Sequence, residues 1–443
     1  MSHRTIGGLL SALLFSCADP AAPDAPDPVS MVPDIPTASC AGADHAWVPL
    51  DQTGQSLAAE RDEDLSLTAA GLQLLLDTFD IAGITPTFDV AVYQSRYSTQ
   101  DRGAPIEASG WFAHPTTPGD YPLLLWMHPT AGFSPPCGPS ARGIEGAIFP
   151  IVFASLGYVV AAPDYIGMNG WAEPSSPDLH PYIVAEPTAV ASLDSARALL
   201  DEASRSGWPA QPDPSRTVLY GASEGGFAAL VADRYAEALA PELTPAVVMA
   251  AVPPTDLLEL AIRGTAELND TTSGLAAILT TMRQWYDAPP LDDVMQPDFS
   301  ANVEDLLEES CSDFSYGDPT TVTEIFQPAF VDALQAGDGP SLEPWQCILE
   351  ESSPRRMPVQ GHSDAVSALV PSEAEDLTWA PPGHDDIVGW CDEGRQVVHK
   401  QCAALDHSTA GVATLPWQLE TIAGLLDGTV VPECTVAPPE PCD

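Results

Sequence analysis

A serine flanked by glycines, between a short apolar segment and a helix-like segment, constrains this chain more than any other feature. The segment Gly221-Ala222-Ser223-Glu224-Gly225-Gly226 follows the apolar residues Thr217–Tyr220 and opens the helical pattern of Gly225–Leu239. Small residues on both sides let the backbone turn sharply between strand and helix, which lifts the serine hydroxyl clear of a sheet. The letters alone are common, but this context predicts that Ser223 is a nucleophile.

Strand-like and helix-like segments alternate around this serine. The nearly continuous apolar runs Tyr121–Met127 and Tyr158–Ala162 are typical of strands buried on both faces, and Val190–Ala203 has a helical pattern. Such alternation predicts a mostly parallel central sheet with helices on both faces. A hairpin of Phe88–Tyr97 and Ile106–His114 would add antiparallel strands at one edge.

The alternation stops near residue 256. Residues 257–355 are acidic and helical in pattern, without a buried strand, and we interpret them as a helical cap inserted into the core. The core itself would consist of residues 44–256 and 356–443, the second part ending in a cysteine-containing tail. Its last strands are predicted at Met357–Gln360 and Gln396–Lys400.

The N-terminus has the pattern of an export signal. Arg4 precedes a short apolar run, Ile6–Phe15, that is too short to span a bilayer. We interpret residues 1–17 as a signal peptide and the Pro-, Ala- and Asp-rich residues 18–43 as a linker. A small residue before Cys17 resembles a lipoprotein processing box, so Cys17 would carry a lipid that tethers the protein to a membrane. Plain secretion is the alternative.

Cysteine usage agrees with export. The chain has nine cysteines, so eight remain if Cys17 is lipidated, and an even number in an exported protein predicts up to four disulfides. The local pairs Cys391–Cys402 and Cys434–Cys442 are one hypothesis, although connectivity does not follow from sequence. No CxxC pair is present, and no metal or cofactor is expected.

The charge excludes one class of partner. Fifteen Lys and Arg residues oppose 63 Asp and Glu residues, giving a formal net charge of −48. Such a charge repels phosphate backbones, so nucleic acid is not an expected partner. The acidic residues are scattered along the chain, which is typical of a solvated acidic surface.

A nucleophilic serine needs a base, usually a histidine. His407 lies between the last predicted strand and the closing helix, in a loop expected to face the nucleophile. His384, in a Pro-Pro-Gly-His loop, is the alternative, whereas His399 lies inside a predicted strand where its side chain would be packed.

The base needs a carboxylate that orients it. Asp364, in Gly361-His362-Ser363-Asp364, would lie at the carboxyl end of the predicted strand Met357–Gln360, beside Ser223. Ser363 has elbow-like neighbours of its own, but too little chain follows it to supply an acid and a base.

A developing oxyanion needs two backbone N–H donors. One is predicted at Glu224, directly after the nucleophile, and the other at Thr130 in the loop His128–Gly132, with Ala131 as the next choice. Pro129 has no N–H and cannot serve. We interpret His128 as a structural loop residue.

From about Val90 to Cys434 the sequence resembles the secretory lipase and esterase group of the α/β-hydrolase superfamily. The resemblance implies the α/β-hydrolase fold, the triad Ser223, Asp364 and His407, and a lid over an acyl pocket. Two positions depart from the pattern, because Glu224 stands where Gln is frequent and His-Pro where His-Gly is commoner. The blocks that carry the resemblance are Tyr97–Gly110, His128–Gly132, Cys137–Ser140, Pro163–Gly167, His180–Tyr182, Leu193–Ala198, Ala240–Leu243 and Asp406–Ser408.

These features together predict an exported serine carboxylic-ester hydrolase, an esterase or lipase that forms an acyl-enzyme on a small-molecule or lipid ester. The same triad could act on amides or peptides, or transfer an acyl group to an alcohol, since one fold hosts several reactions. A binding lipoprotein on an inactive hydrolase scaffold is the third hypothesis.

Overall fold

One mixed sheet forms the centre of the molecule. The computed structural model describes residues 32–442 apart from 79–80, 82, 172–178, 310, 312–318, 358–365, 371–386, 404, 436–437 and 439. The strands are β1 Ser56–Arg61, β2 Val90–Asp101, β3 Ala104–Pro115, β4 Gly119–Met127, β5 Val159–Pro163, β6 Ala210–Ala222, β7 Pro245–Ala251, β8 Val366–Val370 and β9 Val397–His399.

The strand order in this part of the chain is β1-β2-β3-β5-β4-β6-β7-β8-β9. The pairs β1–β2, β2–β3 and β3–β5 are antiparallel, and every pair from β5–β4 to β8–β9 is parallel. The expected hairpin of β2 and β3 turns at Arg102 and Gly103, both with positive φ. The predicted fold class, a mostly parallel sheet with an antiparallel edge, is confirmed.

Helices cover both faces of the sheet, as the alternating pattern predicted. They are α1 Ala69–Thr78, α2 Ile144–Ser155, α3 Ala185–Ser206, α4 Glu224–Leu239, α5 Leu257–Ala266, α6 Asp270–Trp285, α7 Pro297–Ser300, α8 Val303–Glu309, α9 Pro328–Ala336, α10 Glu343–Glu351, α11 with residues 387–392, α12 His407–Ala413 and α13 Leu415–Asp427.

Strand β4 shows why the central strands are apolar throughout. Successive side chains of a strand point to opposite faces, so a strand covered on both faces needs apolar residues at every position. Leu123 and Leu125 pack on the side of α3 and α4, whereas Leu124 and Trp126 pack on the side of α1, α2 and α13. All four are buried.

The strand predicted directly after the insertion falls almost entirely outside the described residues. Residues 358–360 of the expected strand Met357–Gln360 are outside the described residues, and the strand that pairs with β7 is β8. Its register places Val370 beside Ala251 at the carboxyl end. Short apolar runs occur at Met357–Gln360 and at Val366–Val370, and the second of them pairs with β7. Residue 364 is itself outside the described residues and lies two positions before β8 begins.

Helices α5 to α10 fill the interval between β7 and β8. They share one hydrophobic cluster, which includes Leu275, Ile278 and Trp345 and also takes in Phe227 and Val231 from α4. The insertion thus packs against the helix that starts at the predicted nucleophile.

Four disulfides are present: Cys40–Cys347, Cys137–Cys311, Cys391–Cys434 and Cys402–Cys442. The expected number is confirmed, but the local pairs Cys391–Cys402 and Cys434–Cys442 were wrong. The tail returns alongside the segment after β9, where Glu440 N–H donates to the Gln401 carbonyl and Ala403 N–H donates to the Glu440 carbonyl. This return brings each tail cysteine to a partner about forty residues earlier, at separations of 43 and 40.

The segment before residue 44 is packed over part of its length, which corrects the predicted extent of the linker. Ala38 and Cys40 are buried in the cluster of the insertion, and the Ala38 N–H donates to Glu186 at 2.7 Å. Free chain therefore cannot continue to residue 43. Residues 1–17, with Cys17, lie outside the described residues. No helix of the described part is long and apolar enough to cross a bilayer.

Candidate active site

Ser223 sits on a strained turn between β6 and α4. Its φ of 56° and ψ of −118° are unusual for a residue with a side chain, and they aim the hydroxyl away from the sheet. The neighbouring glycines are required because a side chain at either position would clash with backbone atoms. A Cβ at Gly221 would lie 2.1 Å from the Gly225 carbonyl oxygen, and one at Gly225 would lie 1.9 Å from the Met127 carbonyl oxygen.

His407 meets this hydroxyl from the other end of the chain. It is the first residue of α12, and its Nε2 lies 2.8 Å from Ser223 Oγ. Asp406 caps the helix by accepting the Thr409 N–H at 2.8 Å, which fixes where the helix begins. The structure therefore brings the predicted nucleophile and base together across 184 residues of sequence. His399 ends β9 and is buried, and His384 lies outside the described residues.

The third member of the predicted triad, Asp364, is outside the described residues. Asp406 is the acidic neighbour of His407 in sequence, but its carboxylate is committed to the helix cap. Hydrogen bonds from the Thr409 side chain and N–H hold the pKa of Asp406 below its usual value, as expected for a cap carboxylate at the surface. Asp406 thus orients the start of α12, not the imidazole directly.

Both predicted oxyanion donors adjoin the turn. Glu224 is the first residue of α4, where the N–H groups have no acceptor within the helix and carry the positive end of its dipole. The loop with Thr130 begins directly beside α4, since a Cβ at Gly225 would also lie 2.8 Å from the His128 carbonyl oxygen. Thr130 Oγ1 is 3.0 Å from the Tyr182 hydroxyl, which anchors that loop.

His128 is packed as a loop residue. Its Nδ1 lies 2.7 Å from the Pro129 carbonyl oxygen, and its ring contacts Tyr165 with centroids 4.3 Å apart. The Tyr165 hydroxyl donates to the His128 carbonyl at 3.1 Å. Burial lowers the pKa of His128, which favours a neutral ring. These contacts agree with the structural role expected for it.

The structure adds one residue that sequence reasoning missed, His180. Its Nε2 lies 2.6 Å from Glu224 Oε1, and both side chains are fully buried. His180 Nδ1 is 2.8 Å from the Ile166 carbonyl oxygen, so that nitrogen donates and the second nitrogen shares a proton with the carboxylate. The signal in the sequence was one departure from the family pattern, the charged Glu224 after the predicted nucleophile, together with a histidine in the block His180-Pro181-Tyr182.

This pair removes the objection that a carboxylate next to the nucleophile would oppose an oxyanion. The Glu224 side chain is turned into the protein and tied to His180, while its backbone N–H remains at the start of α4. Within the described residues, no cluster of three or more His, Cys, Asp or Glu side chains could hold a metal ion.

Residues 147–326 match the secretory lipase family. This match confirms the resemblance to that family. The sequence matches no curated protein. The match covers α2, β5, the Ser223 turn and much of the insertion.

Solved structures share the fold. The rice cell wall degrading esterase LipA from Xanthomonas oryzae is 23% identical, with a TM-score of 0.70 over 85% of this chain and 100% of that chain. Candida antarctica lipase A in its closed state is 15% identical, with a TM-score of 0.63 over 87% of this chain and 85% of that chain. The chain has the α/β-hydrolase fold, and the family match supports an ester hydrolase.

Proposed function

We propose that the protein is an exported serine carboxylic-ester hydrolase that works through an acyl-enzyme. The observation that carries the proposal is the 2.8 Å contact of His407 Nε2 with Ser223 Oγ on a strained turn. This is the distance at which an imidazole can remove the hydroxyl proton as the oxygen attacks. The match of residues 147–326 to the secretory lipase family supports an ester as the substrate.

The reaction has two steps. In the first, Ser223 Oγ attacks the ester carbonyl carbon and His407 takes its proton, after which His407 H⁺ protonates the leaving alcohol. In the second, His407 takes a proton from water, the resulting hydroxide attacks the acyl-enzyme, and the acid leaves as Ser223 regains its proton. The N–H groups of Thr130 and Glu224 would hold the oxyanion in both steps.

We propose Asp364 as the carboxylate that orients His407, on the resemblance to the family. The register of β8 raises a competitor, because the triad acid of this fold follows a strand and the chain after Val370 contains Asp376. Asp364→Asn and Asp376→Asn separate the two. Loss of kcat by roughly a thousandfold or more in the first variant alone supports Asp364, and the reverse result assigns the role to Asp376.

We propose that the helices of residues 257–355 are a cap over the acyl pocket. The support is their contact with the loops that border Ser223. Thr281 Oγ1 in α6 is 3.4 Å from the carbonyl oxygen of Tyr182, the residue that anchors Thr130. Ser134 Oγ donates to the Glu308 carbonyl at 2.9 Å, and Cys137–Cys311 joins the same two regions covalently.

Export through residues 1–17 with lipidation of Cys17 is part of the proposal. The four disulfides and the secretory lipase match support an exported protein. Mass spectrometry of the mature N-terminus tests the anchor. A lipid mass on Cys17 supports the tether, whereas an unmodified N-terminus near Ala18 supports plain secretion.

Ser223→Ala tests the nucleophile. We expect this variant to lose p-nitrophenyl ester cleavage and labelling by a fluorophosphonate, whereas Ser215→Ala, a change at an exposed serine, keeps both. A panel of esters of increasing acyl length, run beside peptide and amide substrates, tests the substrate class. Cleavage of amides alone, or labelling that persists in Ser223→Ala, would overturn the proposal.

A further inference from the structure

A cavity of about 200 Å³ lies beside the half of α4 that is remote from Ser223. Arg234 lines it, and lies eleven residues after Ser223 along the helix, about 16 Å in axial rise. The cavity is therefore separate from the proposed active site. One side of its wall is apolar and comes from Ile35, Pro36 and Met357.

Arg234 is buried, and two of its three guanidinium nitrogens lack a partner within the described residues. The residue is 5% exposed, and its Nε and Nη1 have no hydrogen-bond partner in the structure. A guanidinium in a folded protein almost always meets a carboxylate, a carbonyl or water, because leaving a buried charge uncompensated is costly. Within the described residues, Arg234 makes no ion pair either.

The other charged side chains that line the cavity are already engaged. Glu351 accepts the Ser39 N–H at 2.8 Å and the Cys40 N–H at 3.4 Å, so it holds the N-terminal segment in place. Arg356 pairs with Glu350 and with Asp256, at 2.9 Å in each case. Arg234 is left as the group with free donors.

Two other arginines, Arg395 and Arg355, act on Arg234 in a chain with 15 basic and 63 acidic residues. Burial and the charge of Arg395 lower the pKa of Arg234 to about 10, while Asp233 and Glu393 oppose the shift. Asp233 is itself paired with Arg395. Glu393 is likewise paired with Arg355 at 2.7 Å, so each of these carboxylates already has an arginine other than Arg234.

We propose that this cavity binds a small aliphatic carboxylate, with the carboxylate on the guanidinium of Arg234 and the apolar chain against Ile35, Pro36 and Met357. Arginine suits this role because its planar donors match both oxygens of a carboxylate. The wall formed by residues 35 and 36 means that the ligand would also hold the N-terminal segment against the core. The site does not depend on the proposed ester hydrolysis.

Sodium hexanoate is the probe, used with the full protein after Ser223 has been capped with a phosphonate so that the active site is blocked. We expect calorimetry to give saturable one-to-one binding, and the melting temperature to rise with hexanoate. Hexanol, which lacks the charge, and inorganic phosphate, which lacks the apolar chain, are expected to bind at least tenfold more weakly. Equal binding of phosphate would overturn the assignment of a carboxylate.

Arg234→Met tests the residue, and Arg61→Met, a change at an exposed arginine of β1, is the matched control. The first variant should lose the hexanoate response, and the second should keep it. Circular dichroism checks that Arg234→Met is folded. Arg234→Lys keeps the positive charge but lacks the paired planar donors of the guanidinium, and it should bind hexanoate more weakly than the wild type. Absence of hexanoate binding in the wild type, or binding that survives Arg234→Met, would overturn the proposal.

Discussion

The two ends of α4 treat a buried charge in opposite ways. At the first residue, Glu224 is fully buried and its Oε1 lies 2.6 Å from His180 Nε2. Ten residues later, Arg234 is 5% exposed and has no hydrogen-bond partner on Nε or Nη1. At the first end one of the two carboxylate oxygens has an ionisable partner, whereas within the described residues the guanidinium at the other end has no acceptor on those two nitrogens.

Burying a charge has a different consequence at each end of α4. A paired charge beside the proposed nucleophile keeps its place and leaves the first backbone N–H groups of α4 available as the proposed oxyanion donors. A buried charge without a partner destabilises the folded state, and a ligand of opposite charge bound in the adjacent cavity would remove that cost. The same helix thus presents a preorganised site at one end and a receptive site at the other.

The largest effect is expected from closing the space at the first end. Gly225→Ala would place a methyl group 1.9 Å from the Met127 carbonyl oxygen, which is backbone and cannot move aside without shifting β4. Because the oxyanion loop follows Met127, we expect ester cleavage to fall by about a hundredfold or more. The value of kcat/KM measures this.

Gly274→Ala is the control for that change. A Cβ there would meet nothing within 4 Å in α6, so activity should be unchanged and the helix should gain about 0.5–1 kcal/mol. Full activity in Gly225→Ala would mean that the turn does not depend on this close approach.

Removing the partner of Glu224 is expected to have the next effect. His180→Ala leaves a carboxylate buried without compensation and should lower the free energy of unfolding by about 3–5 kcal/mol. Glu224→Gln removes the charge together with the shared proton and should cost about 1 kcal/mol. Urea denaturation measures both, and equal losses would contradict the idea that the pair is completed by a proton.

At the second end, two buried arginines should respond differently. Arg395 is paired with Asp233 and both are buried, so Arg395→Met should cost about 3 kcal/mol. Arg234→Met removes an uncompensated charge and should change the free energy of unfolding by less than about 1 kcal/mol, or raise it, in the absence of carboxylates. A large loss in Arg234→Met would show that its charge is already balanced.

The last prediction concerns the pH dependence of stability and Glu186, which accepts the Ala38 N–H beside the same cavity. Burial raises the pKa of Glu186 from its ordinary 4.5 to about 8. Between these values the folded state holds a proton that the unfolded state has lost, so stability is highest below pH 4.5 and falls as the pH rises through 8. The slope would be at most about 1.4 kcal/mol per pH unit.

Glu186→Gln should flatten that part of the profile. Thermal melts of both proteins across this pH range, with the difference taken at each pH, measure the contribution. An identical slope in the variant and the wild type would exclude Glu186 as its source.

Several features followed from local sequence alone. The apolar runs that became β4 and β5, and the small residues around Ser223, are patterns within short segments that backbone geometry decides. The histidine that the structure places beside Ser223 also followed, since His407 begins the closing helices. These inferences needed only spacing and order along the chain.

Partners distant in sequence did not follow. Packing decides three such pairings: the partner of each tail cysteine, the strand beside β7, and His180 beside Glu224. Asp233 and Arg395, paired across 162 residues, are another case. In each of these cases the local sequence is compatible with several different partners.

The sequence by itself determined that this chain forms a mostly parallel sheet with a serine on a cramped turn, because alternation and small side chains act over a few residues. The tertiary structure alone decided which charges are paired, which cysteines meet and where an arginine is left without a partner. Burial and charge compensation depend on contacts between distant segments of the folded molecule, so no short segment determines them.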